Sequence, residues 1–363
     1  MSNENENAEY VRVDCQALVE FVTQVFVKLG VPREDAFTTA DNLVQADLRG
    51  VDSHGVQRLG RYVRGIKKGT ILTNPVVSVA RETPSTALID GGSGLGQPVG
   101  KLGMELCLKK AEQAGGAFVA VRNSNHYGIA GYYAMMALPR QMIGLSFTNS
   151  RPLAVPTYGR EMIIGTNPIS IAVPAAGERP FVLDMATSVV PIGKVEVAAR
   201  KGISIPLGWA VDSAGRPTTD PKAVLSGGGV LPLGGTAEFS GYKGYGLAVM
   251  VDILCGVLSG AAYGQLVDAK KDGQDQPANV GHFFAAMRVD AFRPLDEFKA
   301  TMDDLILRLK SSAKAEGESR IFVAGEKEYE REEEYRRDGI PLYRQVADEI
   351  RGIGKELGVE WTT

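Results

Sequence analysis

Cysteine is close to absent from this 363-residue chain: Cys15, Cys107 and Cys255 are too few and too scattered to build a disulfide framework. A reduced, cytoplasmic setting is expected instead. An excess of one charge is lacking too. Lys and Arg number 40 against 43 Asp and Glu, a net charge of −3, so no basic surplus advertises nucleic acid or an anionic membrane. Long apolar runs are missing, and the longest, Leu247 to Ala262, is interrupted by Asp252, which argues against a membrane span. The opening Met-Ser-Asn-Glu-Asn-Glu-Asn is polar with no apolar core, so no secretory signal is expected there. Histidine is as scarce as cysteine, which leaves imidazole chemistry only His54, His126 and His282. Familiar cofactor and catalytic strings are also absent. Gly92-Ser-Gly94-Leu-Gly96-Gln97 comes nearest to a dinucleotide fingerprint but has Gln where the third glycine belongs. There is no P-loop, no Gly-x-Ser-x-Gly elbow and no Cys/His cluster with metal spacing. An ordinary Rossmann dehydrogenase and a zinc enzyme are both disfavoured, and no residue is assigned to a metal.

What is present is an ordinary globular composition, 44% hydrophobic and 23% charged. At about 150 residues per domain, two or three domains are expected. Leu18, Phe21, Val22, Val25, Phe26 and Leu29 form one helical stripe that stops at Gly30. Further helices are expected over 32–48 and 100–113. From Ala117 the rhythm changes to short apolar runs, at 118–121, 143–147, 169–173 and 181–183, each read as a buried strand. Gly244 to Tyr263 is apolar on nearly every face and predicts a helix buried in the core. Residues 268–277 read as a surface loop, 298–309 as an amphipathic helix, 326–338 as a solvated charge run and 341–357 as a last helix. Glycine is plentiful, at 43 residues, and gathers in the middle of the chain.

The chemistry-bearing residues cluster with the glycines. Arg49-Gly-Val-Asp-Ser53-His54-Gly-Val-Gln-Arg58 sets a near-neutral proton carrier between two guanidinium groups, the side chain best matched to a planar carboxylate. Local ion pairs of Arg49 and Arg58 with Asp47 and Asp52 are the competing reading. His126, in Asn123-Ser-Asn-His126-Tyr-Gly128, follows a predicted strand, where α/β proteins place ligands; a ring that merely satisfies nearby backbone is the alternative. His282, ahead of two phenylalanines, reads as structural. Thr148-Asn-Ser150, Gly165-Thr-Asn-Pro168 and Asp184-Met-Ala-Thr-Ser188 are small and polar beside strands, so their N–H groups and hydroxyls can converge on a polar ligand. Gly241-Tyr-Lys243-Gly-Tyr-Gly246 adds a cation at a helix start, a place that suits phosphate.

In order along the chain, Ser53-His-Gly-Val-Gln-Arg58, Gly94-Leu-Gly-Gln97, Asn123-Ser-Asn-His-Tyr-Gly128, Gly165-Thr-Asn-Pro168, Asp184-Met-Ala-Thr-Ser188, Gly208-Trp-Ala-Val-Asp212, Pro217-Thr-Thr-Asp-Pro221 and Lys243-Gly-Tyr-Gly-Leu247 resemble the malate/L-sulfolactate dehydrogenase family. These are the type-2 malate/lactate dehydrogenases, which include ureidoglycolate dehydrogenase, diketogulonate reductase and piperideine-2-carboxylate reductase. The likeness runs over roughly residues 15 to 330. It implies an α/β, non-Rossmann, sulfolactate dehydrogenase-like fold. A helical domain from both chain ends (1–122 plus 292–363) would pack on a central nicotinamide-binding domain (123–291). It further implies an NAD- or NADP-dependent enzyme, usually a homodimer, interconverting 2-hydroxy and 2-oxo acids, with malate/oxaloacetate the default pair. The resemblance puts His126 first and His54 second as proton-transfer group, and Ser53 and Arg58 at substrate, where Arg49 is a further candidate. Ser150, Asp184, Met185, Ala186, Lys243, Gly325, Glu326 and Lys327 fall at cofactor positions, with Ser188 grouped beside them. A lyase or isomerase using the same His and Arg, or a catalytically silent dinucleotide-binding relative, are the competing classes.

Overall fold

Asp14 accepts hydrogen bonds from the N–H groups of Gln16 and Ala17, capping the first long helix and freeing its apolar stripe to face inward. In the computed structural model, which describes residues 9–361, the chain opens with strand β1 (Tyr10–Val13) and helices α1 (Cys15–Lys28), α2 (Arg33–Leu48) and α3 (Leu59–Lys67). Strands β2 (Ser78–Glu82) and β3 (Thr86–Asp90) lead to α4 (Gly96–Ala114), β4 (Gly116–Ser124) and the short α5 (Ala130–Met135). Then come β5 (Met142–Thr148), β6 (Ile169–Val173), β7 (Phe181–Met185), α6 (Ile192–Lys201), β8 (Ala210–Val211), α7 (Pro221–Leu225) and β9 (Gly229–Val230). The remainder is α8 (Gly241–Asp252), β10 (Val280–Arg288), α9 (Leu295–Ser311), α10 (Glu326–Asp338), β11 (Ile340–Tyr343) and α11 (Arg344–Leu357).

Seven strands form one mixed sheet in the order β2-β3-β4-β10-β5-β6-β7. Only β3 and β4 run parallel; the other pairs are antiparallel. β10 sits between β4 and β5 and is buried along most of its length, as a strand covered on both faces must be. His282 lies on it, fully buried, with Thr148 Oγ1 at 2.8 Å from Nδ1 and Ser124 Oγ at 2.8 Å from Nε2. That is the structural role expected of it. The α/β fold class expected from the sequence is the one found. Residue 122 falls inside β4, so β2 to β4 share a sheet with the strands of the central segment.

The two chain ends meet. β1 pairs antiparallel with β11, Tyr10 opposite Tyr343 and Val13 opposite Ile340, and the buried faces of α1, α2, α3 and α11 close one core over them. Pro341 is tolerated because this ladder has only two strands, so the last helix starts at Arg344 rather than at 341. The charge run at 326–338 is a helix whose Tyr335 packs into the same core.

One expectation is corrected. The stretch 244–263 does not form a single helix buried all round: α8 ends at Asp252, a π turn follows at Ile253–Val257, and Ile253, Val257 and Leu258 are exposed. Val251 and Cys255 pack inward against Phe283 and Ala285 of β10, while the opposite face is exposed. Apolarity on every face is shared by core helices and by surfaces that another protein covers, and the pattern alone does not separate them. No described helix is long and apolar enough to cross a membrane.

Candidate active site

The site is built where two loops meet. The first leaves α2 at Leu48 and makes two short 3-10 turns, Asp52–His54 and Val56–Arg58, before α3. Buried Asp47 clamps it: its Oδ2 accepts the Val56 N–H at 2.8 Å, and a Cβ on Gly55 would overlap its carboxylate. Within the loop, Ser53 Oγ lies 2.9 Å from His54 Nδ1, and Arg58 Nε donates to the Ser53 carbonyl at 2.6 Å.

The second loop follows β4. Asn125 Nδ2 donates to the carbonyls of Ser93 and Gly94 at 3.1 and 2.8 Å, and a Cβ on Gly96 would overlap the carbonyls of Asn125 and His126. The fingerprint-like turn 92–97 therefore seats the His126 loop, with glycine demanded by close backbone approach. His54 and His126 are brought together, ring centroids 5.5 Å apart and planes 22° from parallel. Both rings are half-buried, so they line a cleft rather than fill a core.

Burial, reinforced by Arg58 and Arg61, pushes His54 down to about 4, and burial, then Arg61, His54, Arg58 and His282, holds His126 well below the ordinary histidine range. At neutral pH the two imidazoles are uncharged in the free protein. Tyr62 is fully buried on α3; burial raises its phenol to about 12, so it is protonated. Its hydroxyl lies 2.6 Å from His126 Nδ1 and receives a hydrogen bond from Gln97 Nε2 at 2.7 Å.

Arg58 stands beside this cleft, and Arg61, one helical turn on, joins it in acting on both imidazoles. Among the described residues neither guanidinium meets a carboxylate in an ion pair, so the pairing with Asp47 or Asp52 is not formed. Arg49 goes elsewhere. It is buried, paired with Glu332 at 3.0 Å and stacked 4.7 Å over the ring of Tyr329 on α10. Arg61, Tyr62 and Gln97 were not singled out by sequence reasoning. The signal for Arg61 was its i, i+3 spacing from Arg58; Gln97 was read only as part of a Gly-rich string, and Tyr62 was not read at all.

The residues expected at cofactor positions lie along the β5–β6–β7 side. Ser150 Oγ accepts the Thr166 N–H at 3.1 Å and its N–H donates to Asn167 Oδ1 at 3.0 Å, while Thr187 N–H reaches the Thr166 carbonyl at 2.8 Å. The three small, polar stretches thus converge. Asp184 Oδ2 accepts the Gly131 N–H at 2.6 Å; its side chain is open to solvent yet crowded by protein, and that crowding raises its carboxyl to about 6. Met185 and Ala186 are half-buried beside it, and buried Ser188 donates to the Val190 carbonyl at 3.0 Å. Lys243 is exposed in the first turn of α8. Gly325 caps α10 at φ +95°, where a Cβ would press on Val182 of β7 at 3.1 Å. Glu326 is held by Lys310 at 2.9 Å, and Lys327 lies over the Phe322 ring.

An α/β chain with paired imidazoles, guanidinium groups in no ion pair among the described residues and no Rossmann fingerprint matches the class of non-Rossmann oxidoreductases. The chain belongs to the malate/L-lactate dehydrogenase family, whose model matches residues 13–351. It is 52% identical to a malate dehydrogenase of Pyrococcus abyssi over 352 residues, 97% of this chain and 96% of that one. An L-sulfolactate dehydrogenase of Methanocaldococcus jannaschii is 42% identical over 340 residues, 94% of this chain and 95% of the relative. The solved malate dehydrogenase of Pyrococcus horikoshii superposes with a TM-score of 0.89 at 50% identity, covering 97% of each chain.

Proposed function

We propose that this protein is a malate dehydrogenase that interconverts L-malate and oxaloacetate with NAD or NADP. The observation that carries the reading is the neutral His54/His126 pair beside Arg58 and Arg61, two cations that form no ion pair among the described residues. Two such guanidinium groups suit a substrate with two anionic groups, each able to take a forked hydrogen-bond pair. The malate and sulfolactate dehydrogenases among its relatives point the same way.

The residues present fit a dinucleotide: the Lys243 cation at a helix start suits phosphate, and Ser150, Asp184–Ala186 and Ser188 offer hydroxyls, backbone groups and a carboxyl open to solvent. Held there and at Gly325–Lys327, the nicotinamide would supply the hydride. Arg58 and Arg61 hold the substrate's anionic groups and so fix which face of its carbonyl is presented. Ser53, tied to His54 and Arg58, keeps that loop in place. His126 exchanges the proton with the oxygen on the reacting carbon, as donor toward the hydroxy acid and as acceptor in reverse. Burial is the largest cause of the low proton affinity of His126, and substrate anions beside the arginines offset the smaller part that comes from charge. His54, stacked on it, is the second candidate for that transfer.

The apolar face of Ile253, Val257 and Leu258 supports assembly as a homodimer. The separate core formed by the two chain ends supports a helical lobe packed on a cofactor-binding middle. Steady-state assays of oxaloacetate, sulfopyruvate and pyruvate with NADH and with NADPH test the reading through loss of nicotinamide absorbance. Turnover fastest with oxaloacetate is expected. Cofactor binding without turnover on any 2-oxo acid would instead mark a silent relative.

A further inference from the structure

Gln97 is fully buried, and its Nε2 donates to Tyr62 while its Oε1 has no hydrogen-bond partner. An orphaned carbonyl in a dry site is costly, and one beside a candidate proton-transfer group calls for an account. The hydrogen bonds can be followed one by one. A Tyr62 oxygen that receives the Gln97 N–H still has its own O–H to give, and His126 Nδ1 is 2.6 Å away. The Gly128 N–H lies 3.4 Å from the same nitrogen. Two donors aimed at Nδ1 require its lone pair, so the neutral imidazole carries its proton on Nε2.

Turning the Gln97 amide about its last bond gives the other arrangement. Oε1 then accepts the Tyr62 O–H, the Tyr62 oxygen accepts from a protonated Nδ1, and Nε2 is left with a lone pair. Either arrangement leaves one end of the amide unpaired, so the amide itself does not decide between them.

We propose that Tyr62 and Gln97 are positioning residues that set the tautomer of His126, offering an Nε2–H to the ketone oxygen of a 2-oxo acid and an Nε2 lone pair to the hydroxyl of a 2-hydroxy acid. The site thereby meets both redox forms with an uncharged imidazole: reduction passes the Nε2 proton to the oxygen that the hydride has made anionic while Nδ1 gains the one proton the reaction takes from solvent, and oxidation runs the same exchange backwards. This deepens the reading of His126 as the proton-transfer group and rests on it. The groups facing the ring are Arg58, Arg61 and Tyr62 from α3, His54 from the preceding turn and His282 from β10. Among these, Tyr62 alone has a hydrogen bond to Nδ1.

With three histidines in the chain, nitrogen-15 spectra of the histidine-labelled full-length protein at neutral pH resolve the tautomers. The free protein is expected to show His126 with its proton on Nε2; oxamate, a carbonyl analogue of the 2-oxo acids, should keep it there, and malate should move the population toward Nδ1. Tyr62→Phe should mix the tautomers, abolish the malate response and lower kcat about 10- to 100-fold, the usual loss of an orienting partner, with KM nearly unchanged. Gln97→Met should also abolish the malate response, and it carries the test if Tyr62→Phe does not fold. A charged or Nδ1-protonated His126 in the free protein, or wild-type spectra in both variants, would overturn the proposal. Failure of the parent reading is seen separately, as full turnover by His126→Ala whatever the spectra show.

Discussion

At the scale of single residues, His126 has one nitrogen tied to Tyr62 and its ring half-open to the cleft. Removing the ring in His126→Ala should lower kcat about 10²- to 10⁴-fold, the contribution of a positioned acid–base group, while cofactor titration by fluorescence stays nearly unchanged. If His54→Ala suffers that loss instead, the proton passes through His54. Arg61 makes a sharper test of substrate class, because only a substrate with a second anionic group needs a second guanidinium. Arg61→Leu should lower kcat/KM for oxaloacetate about 10- to 100-fold, the worth of a charge-assisted hydrogen bond, and leave pyruvate within about threefold. Equal losses on both substrates would place Arg61 on the shared carboxylate or in a structural role. The sequence named both histidines, Arg58 and Arg49, but not the buried pairing of Arg49 with Glu332, which depends on a helix far along the chain. Local spacing holds no trace of such a partner.

At the scale of elements, what was legible follows from where burial leaves a periodic trace. α1 buries one apolar stripe, α2 runs from a proline to a glycine stop, and β5 and β6 are short apolar runs, so all four were readable within a few residues. β2 is exposed at every position and β10 carries His282 inside an apolar run, so neither shows an alternation, and neither was read. β1 and β11 exist only because they pair across nearly the whole chain. Glycine was the better guide to the site: its cluster marked the turns on which the loops rest. Gly96 and Gly352 separate the two uses. A methyl at Gly96 meets the backbone of the His126 loop, whereas Gly352, inside α11, has open space around it. Gly96→Ala should cost roughly 2 kcal/mol or more and lower kcat by displacing His126; Gly352→Ala should stabilise by about 0.5–1 kcal/mol through helix propensity, with kcat unchanged. Denaturant unfolding beside steady-state rates checks both, and a Gly96→Ala protein of wild-type stability and rate would remove the seat assigned to that turn.

At the scale of the whole molecule, folding holds all three histidines below their ordinary proton affinity while it raises several aspartates. These two sets oppose each other in acid. A histidine depressed in the fold stabilises fully above its unfolded value of 6.5 and progressively less as pH falls toward its folded value, about 3 for His282 and about 4 for His54. Asp184, raised from 3.8 to about 6, works the other way, its stabilisation complete below 3.8 and lost as pH rises through 6. The slope of wild-type stability therefore mixes the two, and a difference between proteins isolates one. His282 suits this because it is fully buried and stacked 4.4 Å from Tyr127. His282→Gln should be less stable than wild type at pH 7, where the imidazole is neutral and its bonds to Thr148 and Ser124 are intact. Below pH 6.5 the wild type bears a cost that the variant lacks, growing by up to about 1.4 kcal/mol per pH unit. By pH 4.5 the gap should have closed by roughly 2–3 kcal/mol. Urea unfolding of both proteins from pH 7 to 4.5 measures it, and a gap that stays constant over that range would mean that His282 takes up its proton as readily inside the fold as outside it.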